Sequence, residues 1–296
     1  MFDSIFNQTH KDLEVFAVIC GNDDGSKEYL QQNYPQVKII DPGSNVGFCK
    51  ANNLAIEQSK GQFVQMVNPD LILASNYLEE ILKVFVDPKV ASATGKLLRY
   101  DLKGQGKTEI IDSTGLVMHV SGRVRDRGQN QIDTGQFDNQ KDVWGVSGAG
   151  PMHRRSALEK VKFDNEYLDE DFVAYWDDAD LSWRLNNVGF KSVYVPQAIA
   201  YHGRTAGQSE GGYLHLIKFI RHHQKLSKKV LQWNYKNHIL MYIKNAKYIF
   251  HPAFLFREIA MLGYIIIFEM QTLKVVPELV KLIPRILKKR RYQYGS

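Results

Sequence analysis

The sequence is poor in cysteine. Cys20 and Cys49 are the only two in 296 residues, too few for a disulfide framework. No C-x-x-C or H-E-x-x-H spacing occurs, so nothing in the pattern suggests a zinc site, and a reducing compartment is expected. A secretory leader is also missing, because the opening Met1-Phe2-Asp3-Ser4-Ile5-Phe6 has neither a basic stretch nor a long apolar one; the expected location is the cytoplasm. Long apolar runs are absent too. The most apolar stretch, Ile259 to Phe268, lies between Glu258 and Glu269, and gives about 15 Å of helix against a hydrocarbon core of about 30 Å, too short to span a bilayer as a straight helix. What remains is 44% hydrophobic and 24% charged, with 9 prolines and 22 glycines. That composition excludes disorder, collagen and coiled coil, and fits one large or two modest domains.

The net charge of +6 is unevenly spread. Residues 1–200 carry 21 Lys and Arg against 28 Asp and Glu, and residues 201–296 carry 17 against 4, so an acidic body precedes a basic tail. Such a tail suits an anionic surface, membrane headgroups or nucleic acid. Nucleic acid is the poorer fit, since the tail's Lys and Arg alternate with aliphatic residues and not with exposed aromatics. Lys274, Lys281, Arg285 and Lys288 recur opposite Val275, Val276, Leu279, Leu282 and Ile286, a basic amphipathic helix interrupted by Pro284. It either lies in a membrane interface or packs on the body with a solvated basic face.

Short β-branched runs alternate with helical patterns in the first half. Leu13 to Cys20, Val37 to Asp41, Gln62 to Val67 and Val90 to Thr94 read as strands; Phe48 to Ser59 and Tyr77 to Val86 read as helices. The alternation predicts an α/β fold with a parallel sheet. Arg99 to Asn139 reads as a long excursion with a hairpin around Leu116 to Val124. Val143 to Gly150 reads as a strand running into small residues, Arg154 to Val161 and Asp178 to Val188 as helices, and Lys191 to Val195 as the strand that closes the sheet. Strand signals then vanish. A boundary near Gly211-Gly212 separates residues 1–212 from a helical region, 213–296.

Four short segments carry candidate chemistry. Asn68-Pro69-Asp70 follows a strand, so Asp70 should emerge at its carboxyl end, where α/β sheets place ligands. One carboxylate there can hold Mg²⁺ or Mn²⁺ if a diphosphate completes the shell, although Asn-Pro is also an ordinary turn starter. Asp177-Asp178-Ala179-Asp180 sits at a helix start, where Asp178 could be a general base and Asp180 could cap the helix or pair with Arg184. A capping cluster alone would look the same. His202, after Pro196-Gln197-Ala198, could complete a metal site or be structural. Asn45-Val46-Gly47-Phe48 leads into a helix holding Asn52 and Asn53, whose amino terminus could receive an anion or simply be capped.

Taken in order, these pieces resemble glycosyltransferase family 2, in its rhamnosyltransferase-like branch. The resemblance rests on F-N-Q-T at Phe6 to Thr9, G-N-D-D-G-S at Gly21 to Ser26, N-V-G-F-C-K-A-N-N at Asn45 to Asn53 and N-P-D at Asn68 to Asp70. It continues through S-G-A-G at Ser147 to Gly150, Y-W-D-D-A-D-L-S-W-R at Tyr175 to Arg184 and V-P-Q-A-I-A-Y-H ending at His202, with Tyr235-Lys236-Asn237 as an echo of a downstream element.

The resemblance implies a GT-A fold, a Rossmann-like, mostly parallel mixed sheet flanked by helices. It also implies inverting transfer of a sugar from a nucleotide-diphosphate donor to a saccharide or lipid-linked acceptor, in cell-surface polysaccharide synthesis. On that reading Asp178 is the catalytic base. Asp70 and His202 bind Mg²⁺ or Mn²⁺. Asn45, Gly47, Asn53, Asn68 and Gly148 fall on the nucleotide-sugar side, and Trp144, Trp176 and Asp177 on the acceptor side. The matching text begins inside the helix after the family's first strand, so the sheet should lack that inner strand, and Ile19 stands where relatives carry a base-contacting aspartate. The alternative those departures raise is a catalytically impaired subunit serving as a partner or scaffold. The expected location is the inner face of the cell membrane, held peripherally by the basic region; homo-oligomerisation is left open.

Overall fold

The computed structural model describes residues 1–21, 24–101, 104, 106–203 and 216–294. In chain order the elements are α1 (Phe2–Phe6), β1 (Phe16–Val18), α2 (Ser26–Asn33), β2 (Lys38–Ile40), α3 (Phe48–Gln58), β3 (Phe63–Gln65), β4 (Leu71–Leu73), α4 (Tyr77–Leu82), β5 (Val90–Asp101) and β6 (Gly106–Ser113). Then come β7 (Leu116–Met118), β8 (Val124–Asp126), β9 (Asp142–Val143), β10 (Met152–Arg154), α5 (Arg155–Val161), α6 (Asp177–Asn187) and β11 (Lys191–His202). Four helices finish the chain: α7 (Leu216–Lys225), α8 (Lys228–Asn245), α9 (Pro252–Phe268) and α10 (Val276–Tyr294).

The main sheet runs β3-β10-β5-β11-β4, with β6 on β5 and β9 on β11. Its axis is the parallel pair β5 and β11, each 12 residues long. Each shares one edge between two shorter strands: β5 pairs with β10 and then β6, β11 with β9 and then β4. β10 is antiparallel to both β3 and β5, so β3, β5 and β11 point the same way. The first nine residues of β5 are buried, as a strand covered on both faces requires. Pro196 cannot donate to a ladder, and the β5–β11 register shifts between Val195 and Ile199, so the proline sits in the bulge. Gly95 is obligatory opposite that bulge, because a Cβ there would meet the Ala198 carbonyl oxygen at 2.1 Å.

β1 and β2 form their own parallel pair, and among the described residues no ladder joins β1 to β3. The sheet is therefore divided where the sequence leads one to expect a missing inner strand. Two apolar layers flank the main sheet. Tyr77, Ile81 and Phe85 pack with Leu71, Leu97 and Val195 on one side. On the other, Leu158, Leu181 and Trp183 pack with Leu240, Tyr242, Leu279 and Ile286.

That second layer joins the C-terminal region to the body. Gly211 and Gly212, the expected boundary, lie outside the described residues. Beyond them α8 and α10 share the core of residues 1–203, and α10 continues through Pro284. Lys274, Lys281, Arg285 and Lys288 are exposed, as a solvated basic face requires, with Val275, Leu279 and Ile286 buried opposite them; other basic side chains of α10 are tied to the body. Lys289 is 3% exposed and bonds Glu166, Asp169 and Asp171 at 2.8, 2.5 and 2.9 Å. Arg285 pairs with Glu166 and Asp171, and Arg290 donates to the Ile243 carbonyl at 3.0 Å. Part of the tail's positive charge is thus neutralised by the body, so cutting the chain after Gln271 would strip core residues as well as charge.

Three other local readings are corrected. Of the stretch Val143 to Gly150 only Val143 lies in a regular strand, β9; the small residues after it turn toward β10, a strand just ahead of the expected helix, which forms as α5. β11 runs on to His202 and lies inside the sheet, because the bulge absorbs Pro196. The excursion after Arg99 is more ordered than its composition suggests, since β6 folds back on β5, while the hairpin β7–β8 forms as expected.

Candidate active site

The antiparallel pairing of β4 with β11 sets Leu71 opposite His202 and so brings Asp70 to the end of β11. Gly203 N donates to the Asp70 carbonyl at 2.8 Å, and His202 Nε2 lies 3.3 Å from Asp70 Oδ1. The other ring nitrogen, Nδ1, is 2.8 Å from Oδ2 of Asp112, a carboxylate that is 0% exposed and sits where the β5–β6 register slips. Burial alone would lower the imidazole's pKa; hydrogen bonds to Asp112 and then Asp70 outweigh it and push His202 up to about 9. A buried carboxylate on Nδ1 fixes ring orientation and leaves Nε2 aimed at the aspartate, as in carboxylate–histidine–metal arrangements.

Asp70 and His202 therefore fit a divalent cation as two protein ligands. Among the described residues no group of three or more His, Cys, Asp or Glu could hold a metal. A Mg²⁺ or Mn²⁺ here would depend on substrate phosphates and water for the rest of its shell.

The base candidate lies on the neighbouring turn. Asn68 N donates to Ala149 O at 2.9 Å, joining the N-P-D turn to the S-G-A-G turn. One residue back, Gly148 N donates to Asp178 Oδ2 at 2.9 Å. A Cβ on Gly148 would lie 3.4 Å from Asp178 Cβ and 3.7 Å from Asp177 Oδ2, so this glycine is the near wall of the aspartate pair. Asp70 and Asp178 are thereby tied to two turns that are bonded side by side. Asp177 is 5% exposed. Burial, reinforced by the neighbouring Asp178 charge, pushes it up to about 8. Asp180 is 0% exposed and is held by Arg184 at 2.9 Å, Lys244 at 2.7 Å and Asn245 at 2.7 Å.

The loop delivering these aspartates is under backbone strain. Val173, Tyr175 and Trp176 have φ of 65°, 69° and 69°, and Trp176 is the left-handed residue that starts α6. Asn237, fully buried on α8, holds the loop: its Nδ2 donates to the carbonyls of Phe172, Ala174 and Tyr175 at 2.9, 2.9 and 3.0 Å. Lys236 beside it donates to Asp171 O at 3.0 Å. Asp112 and Asn237 are the positions that sequence reasoning did not assign. The available signals were a carboxylate directly after Ile110-Ile111, and the Tyr235-Lys236-Asn237 echo.

On the expected donor side, Asn45 is exposed and its Oδ1 accepts from Gly47 N at 3.1 Å. Gly47 has φ 81°, and a Cβ there would strike Val173 Cγ1 at 2.8 Å. Asn53 faces inward. At 4% exposure its amide bonds Leu168 N and O, each at 2.8 Å, and Glu170 Oε1 at 3.1 Å, so it braces the 168–170 loop in place of reaching outward. Trp144 packs edge-on against Trp183 in the core, centroids 6.2 Å apart. Trp176 donates from Nε1 to Asn234 Oδ1 at 3.0 Å and walls a cavity of about 220 Å³ between α7, α8 and α9. Ile19 is half-buried and bonds the Ile40 carbonyl through its own N–H; Asn22 and Asp23 lie outside the described residues.

Residues 1–161 match Glycosyl transferase family 2. The chain belongs to that family. It is 27% identical over 230 residues to the N-acetylglucosaminyl-diphospho-decaprenol L-rhamnosyltransferase of Mycobacterium tuberculosis, covering 70% of this chain and 72% of that one. It is 28% identical over 209 residues to an N-acetylglucosaminyltransferase of a Rhizobium species, covering 67% of this chain and 43% of the relative.

Among solved structures, S. aureus TarS 1–349 in complex with UDP-GlcNAc superposes with a TM-score of 0.54 at 16% identity, over 97% of this chain and 78% of the other. GalNAc-T7 with UDP, GalNAc and Mn²⁺ gives 0.54 at 13% identity, over 87% of this chain, which spans half of that protein. Mannosyltransferase PcManGT from Pyrobaculum calidifontis, in complex with GDP-Man and Mn²⁺, gives 0.52 at 15% identity, over 97% of this chain and 70% of the other. The fold is GT-A, and the enzyme is a glycosyltransferase.

Proposed function

We propose that this glycosyltransferase is inverting and metal-assisted, and transfers rhamnose or a similar sugar from a nucleotide diphosphate to a hydroxyl of a saccharide or lipid-linked saccharide. One observation carries the reading: the Asp178 carboxylate is bonded to Gly148, and the adjoining Ala149 carbonyl is bonded to the turn that bears Asp70. A proton acceptor and a cation-holding carboxylate then serve one crevice.

Asp178 takes the acceptor's proton as its oxygen attacks the anomeric carbon from the face opposite the diphosphate, so one displacement inverts the configuration. Burial disfavours a second charge at Asp177 beside the base. Asp70 and His202 would hold the cation, which when bound neutralises charge on the departing diphosphate. The M. tuberculosis relative is named for a diphospho-decaprenol acceptor, and a lipid-linked acceptor would suit an enzyme held peripherally at the inner face of an anionic membrane through its C-terminal region.

The test is a screen of nucleotide sugars with Mg²⁺ or Mn²⁺, thymidine diphosphate rhamnose first, reading released nucleoside diphosphate and the product's anomeric configuration. Retained configuration would overturn the mechanism. A catalytically impaired partner subunit is the second reading. It is favoured by Ile19, which stands where relatives carry a base-contacting aspartate and so weakens the side where a nucleotide base would sit. Failure of every donor to bind would support it.

A further inference from the structure

We infer that α9 lies in the interface of an anionic bilayer by its outer face. This deepens the membrane-facing reading above by moving the contact from α10 to α9. Leu255, Phe256, Ile259, Leu262, Ile266 and Ile267 follow helical spacing along one side and are 40, 76, 71, 39, 49 and 72% exposed. No charged residue interrupts that stripe. So long an exposed apolar stripe, continued by Met270 at 67% exposure, marks a surface that something covers.

The opposite side of α9 excludes a spanning role. Phe254 and Ile265 are 5 and 2% exposed against the body, and Arg257 and Glu258 pair there with each other and with His238. A span would carry that charge cluster into hydrocarbon. No single described helix is long and apolar enough to cross a membrane, and α9 meets the following helical segment at a bend of 116°. A helix with one side on protein and one apolar side outward lies flat and inserts only that side.

Charge decides which surface covers it. The exposed ionic side chains of residues 246–292 are Lys247, Lys274, Glu278, Lys281, Arg285, Lys288 and Arg291, a cationic excess in the segments before and after α9, in which Arg285 is paired with Glu166 and Asp171. Glu278 is itself neutralised by Lys236 at 2.7 Å. Anionic headgroups complement that set. The placement also has a use: Met261 and Ile265, on the inner side of α9, line the cavity walled by Trp176, next to the helix that carries Asp178. A lipid-anchored acceptor held along α9 would present its sugar on that side of the body.

The test is co-sedimentation of the full chain with vesicles of phosphatidylglycerol and phosphatidylcholine, and with phosphatidylcholine alone. Wild type should partition onto the anionic vesicles. The double variant Ile259→Glu and Ile267→Glu, whose side chains are exposed and whose fold is checked by circular dichroism, should lose about tenfold or more in partition coefficient. Lys281→Glu with Lys288→Glu should weaken binding to the anionic vesicles only. Unchanged partitioning of the stripe variant would overturn the inference. So would conversion of a lipid-free dimer into monomer by the same substitutions, which would assign the stripe to a second copy. Partitioning needs no turnover, so Asp178→Asn should bind vesicles like wild type, and failure of the transferase reading would register separately.

Discussion

Replacing Asn237 with Ala tests whether a helix outside the family match holds the catalytic loop. The substitution deletes the donor that serves the carbonyls of Phe172, Ala174 and Tyr175, all from a fully buried side chain. The amide has two N–H bonds to share among those three carbonyls, so at about 1 kcal/mol net for each the loss is about 2 kcal/mol. Residues held at positive φ, as Val173, Tyr175 and Trp176 are, store about 1–3 kcal/mol each. Clamp and strain are thus of the same order, and without the clamp the loop should relax. Trp176 starts α6, so relaxation moves Asp178 away from Gly148. A displacement of about 1 Å lowers turnover about 100-fold. Urea denaturation should show the lost stability, and steady-state kinetics should show kcat falling while donor KM holds. Asn237→Asp, which keeps the size but cannot donate, should behave alike. Loss of stability with turnover within about threefold of wild type would refute the link between clamp and base.

Further outcomes follow from the same geometry. Asp112→Ala should lower Mn²⁺ affinity, measured by electron paramagnetic resonance with nucleoside diphosphate present, by about 10–100-fold through loss of the His202 anchor; unchanged affinity would dismiss that role. Asp177 has an ordinary pKa of 3.8 raised to about 8 in the fold. The folded state therefore binds the extra proton between those values, and stability is lost as pH rises through that window. Asp177→Asn should gain on wild type over the same range in denaturation profiles, with parallel profiles arguing against a buried neutral Asp177. Lys289→Met leaves Glu166, Asp169 and Asp171 without their shared cation and should destabilise by about 3–5 kcal/mol, whereas a loss below about 1 kcal/mol would mean that α10 is not docked through it.

The parts of this molecule legible in the sequence are those with a local signature. Strand and helix alternation marked the α/β body, the hairpin around Leu116 declared itself by composition, and the N-P-D and D-D-A-D segments marked a turn and a helix start that the fold links through the S-G-A-G turn. What was not legible depends on partners far along the chain. The inward turn of Asn53 is decided by Leu168 and Glu170, and the burial of Lys289 by three carboxylates about 120 residues earlier. A helical wheel shows that α10 is basic on one side; it does not show that the body offers matching carboxylates. Asp112 was passed over because a carboxylate in an excursion looks like solvent-facing polarity until the β5–β6 pairing buries it against His202.

The central claim is that Asp178 accepts the proton while Asp70 serves the donor's cation, and Asp178→Asn tests it most directly. Calorimetry should show donor bound with near wild-type affinity in the presence of Mn²⁺, while single-turnover transfer falls by about 100- to 10,000-fold. Transfer by Asp178→Asn at the wild-type rate would contradict the account.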